Sequence, residues 1–115
     1  MFDLGSATPY QFCALEQTSS GESEFLVGAN NRALILFYGL VCSTSLIAYV
    51  EAQVNGVPFA VSGIASSSDP LPTFSAGLCW VTAEPGDVIS IVASVTDGDT
   101  WSGILSGVLF GAYTN

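Results

Sequence analysis

Apolar residues along this chain gather in short runs, and the runs are of two kinds. The first kind alternates. In residues 45–54 the second half sets Tyr49, Glu51 and Gln53 against Ala48, Val50, Ala52 and Val54; in 87–95, Ser90 and Ser94 oppose Ile89, Ile91, Ala93 and Val95. A period of two belongs to a strand with one face in a core and the other in water. The second kind has no polar side. RALILFYGLV (32–41), AGLCWVTA (76–83) and the run at 102–113 are largely apolar on whichever face is counted. Further candidates at 10–17, 23–27 and 57–64 bring the predicted strands to about eight, at the 8–12-residue spacing of a β-sandwich. No segment sustains a 3.6-residue period between helix caps, so helix is expected to be minor.

Turn chemistry separates the runs. Asn55-Gly56 lies between β-forming residues and signals a type I′ hairpin, because both residues accept the positive φ that this turn needs. Glu84-Pro85-Gly86-Asp87 has Pro then Gly at its centre, as a type II turn requires. Ser19-Ser20-Gly21 and Asp97-Gly98-Asp99 mark two more turns, and a Ser/Pro-rich loop spans 65–73.

The end of the chain, WSGILSGVLFGAYTN (101–115), admits a second reading. Gly103, Gly107 and Gly111 recur every four residues, which in a helix is the face on which membrane spans pair. The apolar run is shorter than the ~20 residues a span needs. The longer uncharged stretch, 33–50, has Cys42-Ser43-Thr44-Ser45 near its middle, and one arginine does not supply the cationic flanks that orient a span. As a strand, the run sets its three glycines on one face with Leu105, Leu109 and Tyr113. Ile104, Ser106, Val108, Phe110 and Ala112 take the other face. One face is expected to fill the core and the other to meet a sister subunit. No membrane association is expected.

Composition sharpens this. The chain has 115 residues, ten acids, one base (Arg32), no lysine, no histidine and a net charge of −9. Half the residues are hydrophobic, mean hydropathy is +0.56, and 10% are charged, against about 25% in ordinary domains. In a two-layer sandwich one face of each sheet points outward. Strands apolar on both faces therefore need a cover, and the simplest cover is another copy of the chain. Nucleic acid is excluded as a partner, because displacing counterions from phosphates takes Lys and Arg. A single domain at 10–115 is expected, preceded by an arm at 1–9. The arm lacks the basic and apolar regions of a signal peptide, so none is expected. Cys13, Cys42 and Cys79 are widely spaced and are expected to be small buried hydrophobes.

The residue inventory argues against catalysis. Without histidine or lysine, the usual general base and Schiff-base nucleophile are missing; no enzyme activity and no cofactor are expected. Asp97 and Asp99 offer alternate oxygens to a weakly held calcium ion, against the plainer reading of a solvated turn. Arg32 is open to an ion pair with Glu22 or Glu24 across a subunit boundary, or to an exposed strand end of little energetic weight. Trp80, Trp101, Phe37, Tyr38, Phe110 and Tyr113 are open to a sugar-binding platform, though such residues more often build cores and subunit contacts.

The segment at 79–113 resembles the end of tumour-necrosis-factor/complement-type jelly rolls. The matching positions are the Gly86-Asp87 turn, the strand at 88–95, and Leu105-Ser106-Gly107-Val108-Leu109 in an aromatic- and Gly-rich last strand. The resemblance implies a jelly-roll-like antiparallel β-sandwich assembled as a homotrimer, with the last strand near the three-fold axis. Small size, acidic charge and an irregular N-terminal arm also resemble the decoration (cement) proteins of tailed-phage capsids. From these resemblances follow the remaining expectations. Phe37, Tyr38, Trp101, Leu105, Leu109 and Tyr113 are expected at the subunit interface. Met1, Phe2, Asp3 and Leu4 are expected to touch a major capsid protein, with the trimer on the virion surface after synthesis in the host cytoplasm. The alternative is a trimeric head that binds a receptor or glycan through the loops at 65–73 and 97–101.

Overall fold

The computed structural model describes residues 7–18, 20–43, 49–63, 73–95 and 100–111. Eight strands account for nearly all of them: β1 (Thr8–Gln17), β2 (Gly21–Leu26), β3 (Asn31–Ser43), β4 (Tyr49–Val54), β5 (Val57–Gly63), β6 (Thr73–Ala83), β7 (Val88–Ser94) and β8 (Thr100–Gly111). They form two four-stranded sheets, β1-β8-β3-β6 (sheet I) and β2-β7-β4-β5 (sheet II), with every pair antiparallel. The chain is an all-β sandwich of two four-stranded antiparallel sheets. Each predicted run overlaps a strand among the described residues. Thr8 and Pro9, expected in the arm, already pair with Leu109 and Val108.

The pairing is nested. Strand β1 lies beside β8, β2 beside β7, β3 beside β6 and β4 beside β5, as in one long hairpin folded over two layers. Only the innermost connection, β4 to β5, joins neighbours within a sheet, and it is the Asn-Gly turn. Asn55 (φ 51°) and Gly56 (φ 79°) both take positive φ, which the two-residue I′ turn demands. Beyond the turn Phe59 is a bulge: Gln53 pairs with Pro58 but Ala52 with Ala60. Pro58 is tolerated because β5 is an edge strand. The Pro85-Gly86 turn instead carries the chain from sheet I to sheet II. Gly86 sits at φ 87°, and Asp87 N–H donates to the Glu84 carbonyl at 3.0 Å, closing the turn.

Side-chain parity then sorts the residues. Ala33, Ile35, Leu40, Cys42, Trp101 and Leu105 from sheet I meet Val50, Ala52, Ile89, Ile91 and Ala93 from sheet II in a buried core. Full burial of an Ile or Leu contributes about 1.5–3 kcal/mol. Gly103 is part of this contact: a Cβ there would lie 2.7 Å from Ile91 Cγ2, so its missing side chain lets the sheets close. Along one side, Phe25 of β2 stacks on Tyr10 of β1 with ring centroids 5.7 Å apart and meets Phe12 at 6.0 Å. These rings lock the first strand of each sheet together.

Candidate interaction surface

The two outward faces differ sharply. On sheet II the outward positions of β2, β7 and β4 include Glu22, Glu24, Val88, Val92, Ser94, Tyr49, Glu51 and Gln53, by the register that places Ile89, Ile91, Val50 and Ala52 inward; Ser90 is on the same side but covered by its neighbours. Gln53 Nε2 donates to Glu51 Oε1 at 3.0 Å. Exposed apolar residues on this side, Leu26 (64%) and Val61 (53%), sit on the edge strands β2 and β5.

Sheet I turns outward Ile104, Val108 and Phe110 from β8, Leu34, Phe37 and Val41 from β3, and Leu78 and Trp80 from β6. No carboxylate is among its described outward side chains. The one charge among those described side chains is Arg32, whose Nε donates to Glu84 Oε2 at 2.9 Å, with both side chains about half exposed. Arg32 thus pairs within its own chain; Glu22 and Glu24, the partners expected for it, stand on the other sheet. The most exposed large apolar side chains of the described residues are here: Leu78 at 88% and Trp80 at 76%. All three strands that lack polar alternation in the sequence belong to this sheet.

A bulge shapes the middle of the face. On β3, Ile35 pairs with Gly107 and Phe37 with Ser106, leaving Leu36 extra. Beside it lies an open depression of about 590 Å³ lined by Pro9, Tyr10, Gln11, Leu36, Ser106 and Gly107. Gly107 is required here, since a Cβ would run into the carbonyl group of Leu34 on β3. The Tyr10 hydroxyl is buried with no hydrogen-bond partner among the described residues. Burial, then the neighbouring Cys79 thiol, pushes its pKa up to about 12, so it stays neutral.

Several expected site residues lie elsewhere. Trp101 (2% exposed) and Leu105 (0%) are enclosed between the sheets of one chain and have no surface to offer a neighbour. The even-numbered face of β8 is the outward one; parity alone could not say which. Tyr38 and Leu109 pack partly buried against the core, and Phe37 does stand on the outward face. The aromatic residues weighed as a sugar platform are therefore divided between core and surface. Met1, Phe2, Asp3, Leu4, Asp97, Asp99 and Tyr113 lie outside the described residues, as do most of the loops at 65–73 and 97–101. The cysteines are not alike: Cys42 is buried, Cys79 is half-buried with its thiol donating to the Ile35 carbonyl at 3.5 Å, and Cys13 is exposed. Cys13 faces outward because its neighbours Phe12 and Ala14 take the inward positions. Burial pushes the Cys79 thiol's pKa up. Among the described residues no three His, Cys, Asp or Glu side chains are grouped to hold a metal ion. Among them, too, no helix is long and apolar enough to cross a membrane.

One end of the sandwich is pinned by Asp87. Its Oδ1 accepts from Asn55 Nδ2 at 2.8 Å and its Oδ2 from Glu84 N–H at 2.8 Å, while Asn55 Oδ1 accepts from Val88 N–H at 2.9 Å. Val27 N–H donates to the Asp87 carbonyl at 2.9 Å. Three connections are thereby tied together. The Asn55 amide, then the Glu84 N–H, hold the Asp87 carboxyl below the usual aspartate range.

No protein-family model and no curated protein matches the chain. Solved structures do resemble it. A family 35 carbohydrate-binding module from an environmental isolate is 15% identical over 86% of this chain and 76% of its own, with a TM-score of 0.42. The native family 35 carbohydrate-binding module from Clostridium thermocellum is 18% identical over 96% of both chains, with a TM-score of 0.39. The likeness is a distant one of β-sandwich architecture.

Proposed function

We propose that the protein is a non-enzymatic assembly module. It works as a homotrimer that buries the outward face of sheet I, and its place is on a capsid, as a decoration protein. The observation that carries the assembly part is that face: apolar across three strands, with Leu78 and Trp80 standing free in the single chain. The nested strand pairing supports the jelly-roll reading, a fold that closes its core within one chain and leaves a whole sheet face for neighbours. Capsid attachment rests on the resemblance of size, charge and N-terminal arm alone. Its mechanism is avidity: three modest contacts, made together, bind with a high effective concentration. The acidic remainder keeps the assembled surface soluble.

A second reading, a trimeric head that binds a receptor or glycan, is favoured by sheet II. Tyr49 stands beside the Glu51–Gln53 pair and Ser94 on its outward face, an aromatic surface ringed by hydrogen-bonding groups. Light scattering on the purified chain tests the shared part, and a monomer at every concentration sinks it. Cosedimentation with capsids, lost on deleting residues 1–7, supports decoration. A glycan-array signal abolished by Tyr49→Ala supports the head, and absence of capsid binding in any maturation state rejects decoration.

A further inference from the structure

Sheet I carries both a projection and a hollow. The projection is Trp80 on the edge strand β6. The hollow is the depression beside the β3 bulge, toward the opposite edge of the same sheet. We infer that Trp80 of one copy seats in the hollow lined by Pro9, Gln11, Leu36 and Ser106 of the next. The contact is then heterologous, joining different parts of one face, and closes as a ring. This rests on the self-association proposed above and adds to it which residues meet.

Three observations carry it. The first is level. Val81, next to Trp80, pairs with Ile35, Ile35 with Gly107, and Gly107 with Tyr10, so projection and hollow lie on one line across the strands. A rotation without translation joins two points only if they share a height along the axis. Here they share it along the strand direction, so a three-fold axis parallel to the strands brings each Trp80 toward a neighbour's hollow without sliding. A heterologous contact that closes makes a ring, and one that does not makes a fibre.

The second is chemical fit. A buried indole needs apolar contact for its ring and an acceptor for its N–H. The hollow supplies Pro9 and Leu36 for the first and the side-chain oxygens of Gln11 and Ser106 for the second. The third is charge and size. Each chain carries −9, and sheet II displays Glu22, Glu24 and Glu51 outward, whereas sheet I shows no described carboxylate outward. Two copies therefore approach through sheet I with least repulsion. With four strands about 4.8 Å apart and about ten residues long, the face measures roughly 600 Å² in plan; a closed ring divides it between the two contacts each copy makes, so the closed trimer, and no single pair, reaches the size of a stable interface.

The test uses two variants of the full chain. Trp80→Ala removes the projection from an exposed position, and Gln11→Trp fills the hollow from an exposed position on edge strand β1. Each alone is expected to weaken self-association by at least about 30-fold, the mark of a central interface anchor, with an unchanged far-ultraviolet circular dichroism spectrum. Mixed in equal amounts at high concentration, they are expected to form a one-to-one dimer, weaker than the wild-type trimer, because one intact projection and one intact hollow remain between them. If the wild type is a monomer, the self-association reading itself falls. If the wild type is a trimer and Trp80→Ala is too, that reading stands and this inference falls. A mixture that stays monomeric, or variants that re-form trimers together, also overturns it. Should a variant fail to fold, wild-type fluorescence decides. Trp101 is buried in the core, so a red shift on dilution reports Trp80, and dissociation without a shift overturns the assignment.

Discussion

Sheet I is built from strands of 10, 12, 13 and 11 residues, and sheet II from strands of 6, 7, 6 and 7. Both give apolar residues to one core. They part company on their outer faces, where sheet II carries carboxylates and sheet I carries aromatic and aliphatic groups. A solvated sheet needs to be apolar on one side only. Under the proposed self-association, sheet I answers two demands, core packing and a second apolar contact, where sheet II answers chiefly the first.

The harshest way to break sheet I is at its tightest backbone contact. Gly107→Ala places a Cβ against the Leu34 carbonyl on the neighbouring strand. Neither backbone moves without parting β3 from β8, so a loss above about 4 kcal/mol is expected, enough to unfold a small domain. Denaturant unfolding followed by circular dichroism measures it. Gly56→Ala, in the sheet II hairpin, meets no atom within 4 Å and costs only the strain of a positive φ, about 1 kcal/mol. Next come the shared core positions. Leu105→Ala from sheet I and Ile91→Ala from sheet II, both fully buried, are each expected to cost about 2–5 kcal/mol. Similar losses would show that the sheets are equal partners inward, so that their difference lies outside.

The outward difference is tested by exchange of character. Val108→Glu gives sheet I the carboxylate that sheet II has. Val108 is half-buried between Leu34 and Pro9 on the outward face. The variant is expected to fold but to lose self-association by about 100-fold or more, since an unpaired charge buried at an interface costs several kcal/mol. Alkylation of Cys13 offers a second readout. It lies on the same face opposite Ile104 and is the exposed thiol of the three. It is expected to react first in both proteins, and more slowly in the assembled wild type than in the Glu variant. Equal rates and equal masses would leave sheet I without its second demand.

Much of this contrast is legible in the chain. The missing alternation in RALILFYGLV and AGLCWVTA marks strands with two apolar faces, and Glu51 and Gln53 mark one with a wet face. The Asn55-Gly56 turn is legible because only a few residues accept its φ. What the chain does not display is which parity of β8 faces inward. Leu105 and Val108 are equally apolar, and the choice depends on Gly103 clearing space for Ile91, which comes from the preceding strand and the other sheet. Nor does it display the Leu36 bulge, which sets the hollow beside Gly107 and follows from pairing three strands at once. Trp80, the most informative surface residue, has neighbours in sequence as apolar as itself, so its 76% exposure emerges only once β6 is placed at an edge.

The end of the sandwich where Asp87 ties the connections is expected to respond more mildly. Asn55→Gly keeps the positive φ but removes the amide that bridges Asp87 and Val88, at about 1 kcal/mol. The pH dependence follows from the Asp87 carboxyl, held below its ordinary value by Asn55 and then by the Glu84 N–H. In the unfolded chain it binds a proton at higher pH than in the folded one, so stability rises with pH in that interval. Its contribution is complete above the ordinary aspartate pKa of about 4 and fades as pH falls through the lowered value. Asp87→Asn is expected to flatten that acid limb of a stability profile while leaving the face of sheet I, and with it self-association, untouched.

The smallest effect is expected at the one cation. Arg32→Gln removes the ion pair with Glu84, whose partners are 41% and 52% exposed. Water and salt screen a pair of that exposure, so the loss in unfolding free energy is expected to stay below about 1 kcal/mol and to shrink as salt is raised. The variant still sharpens the contrast between the sheets. It leaves sheet I with no charged group among its described outward side chains, while sheet II keeps its three glutamates. If self-association depends on the apolar surface, the variant assembles as well as the wild type at high salt. If it instead depends on Arg32 meeting a glutamate of a neighbour, assembly falls by a large factor at low salt, and sedimentation of the two proteins side by side separates these outcomes.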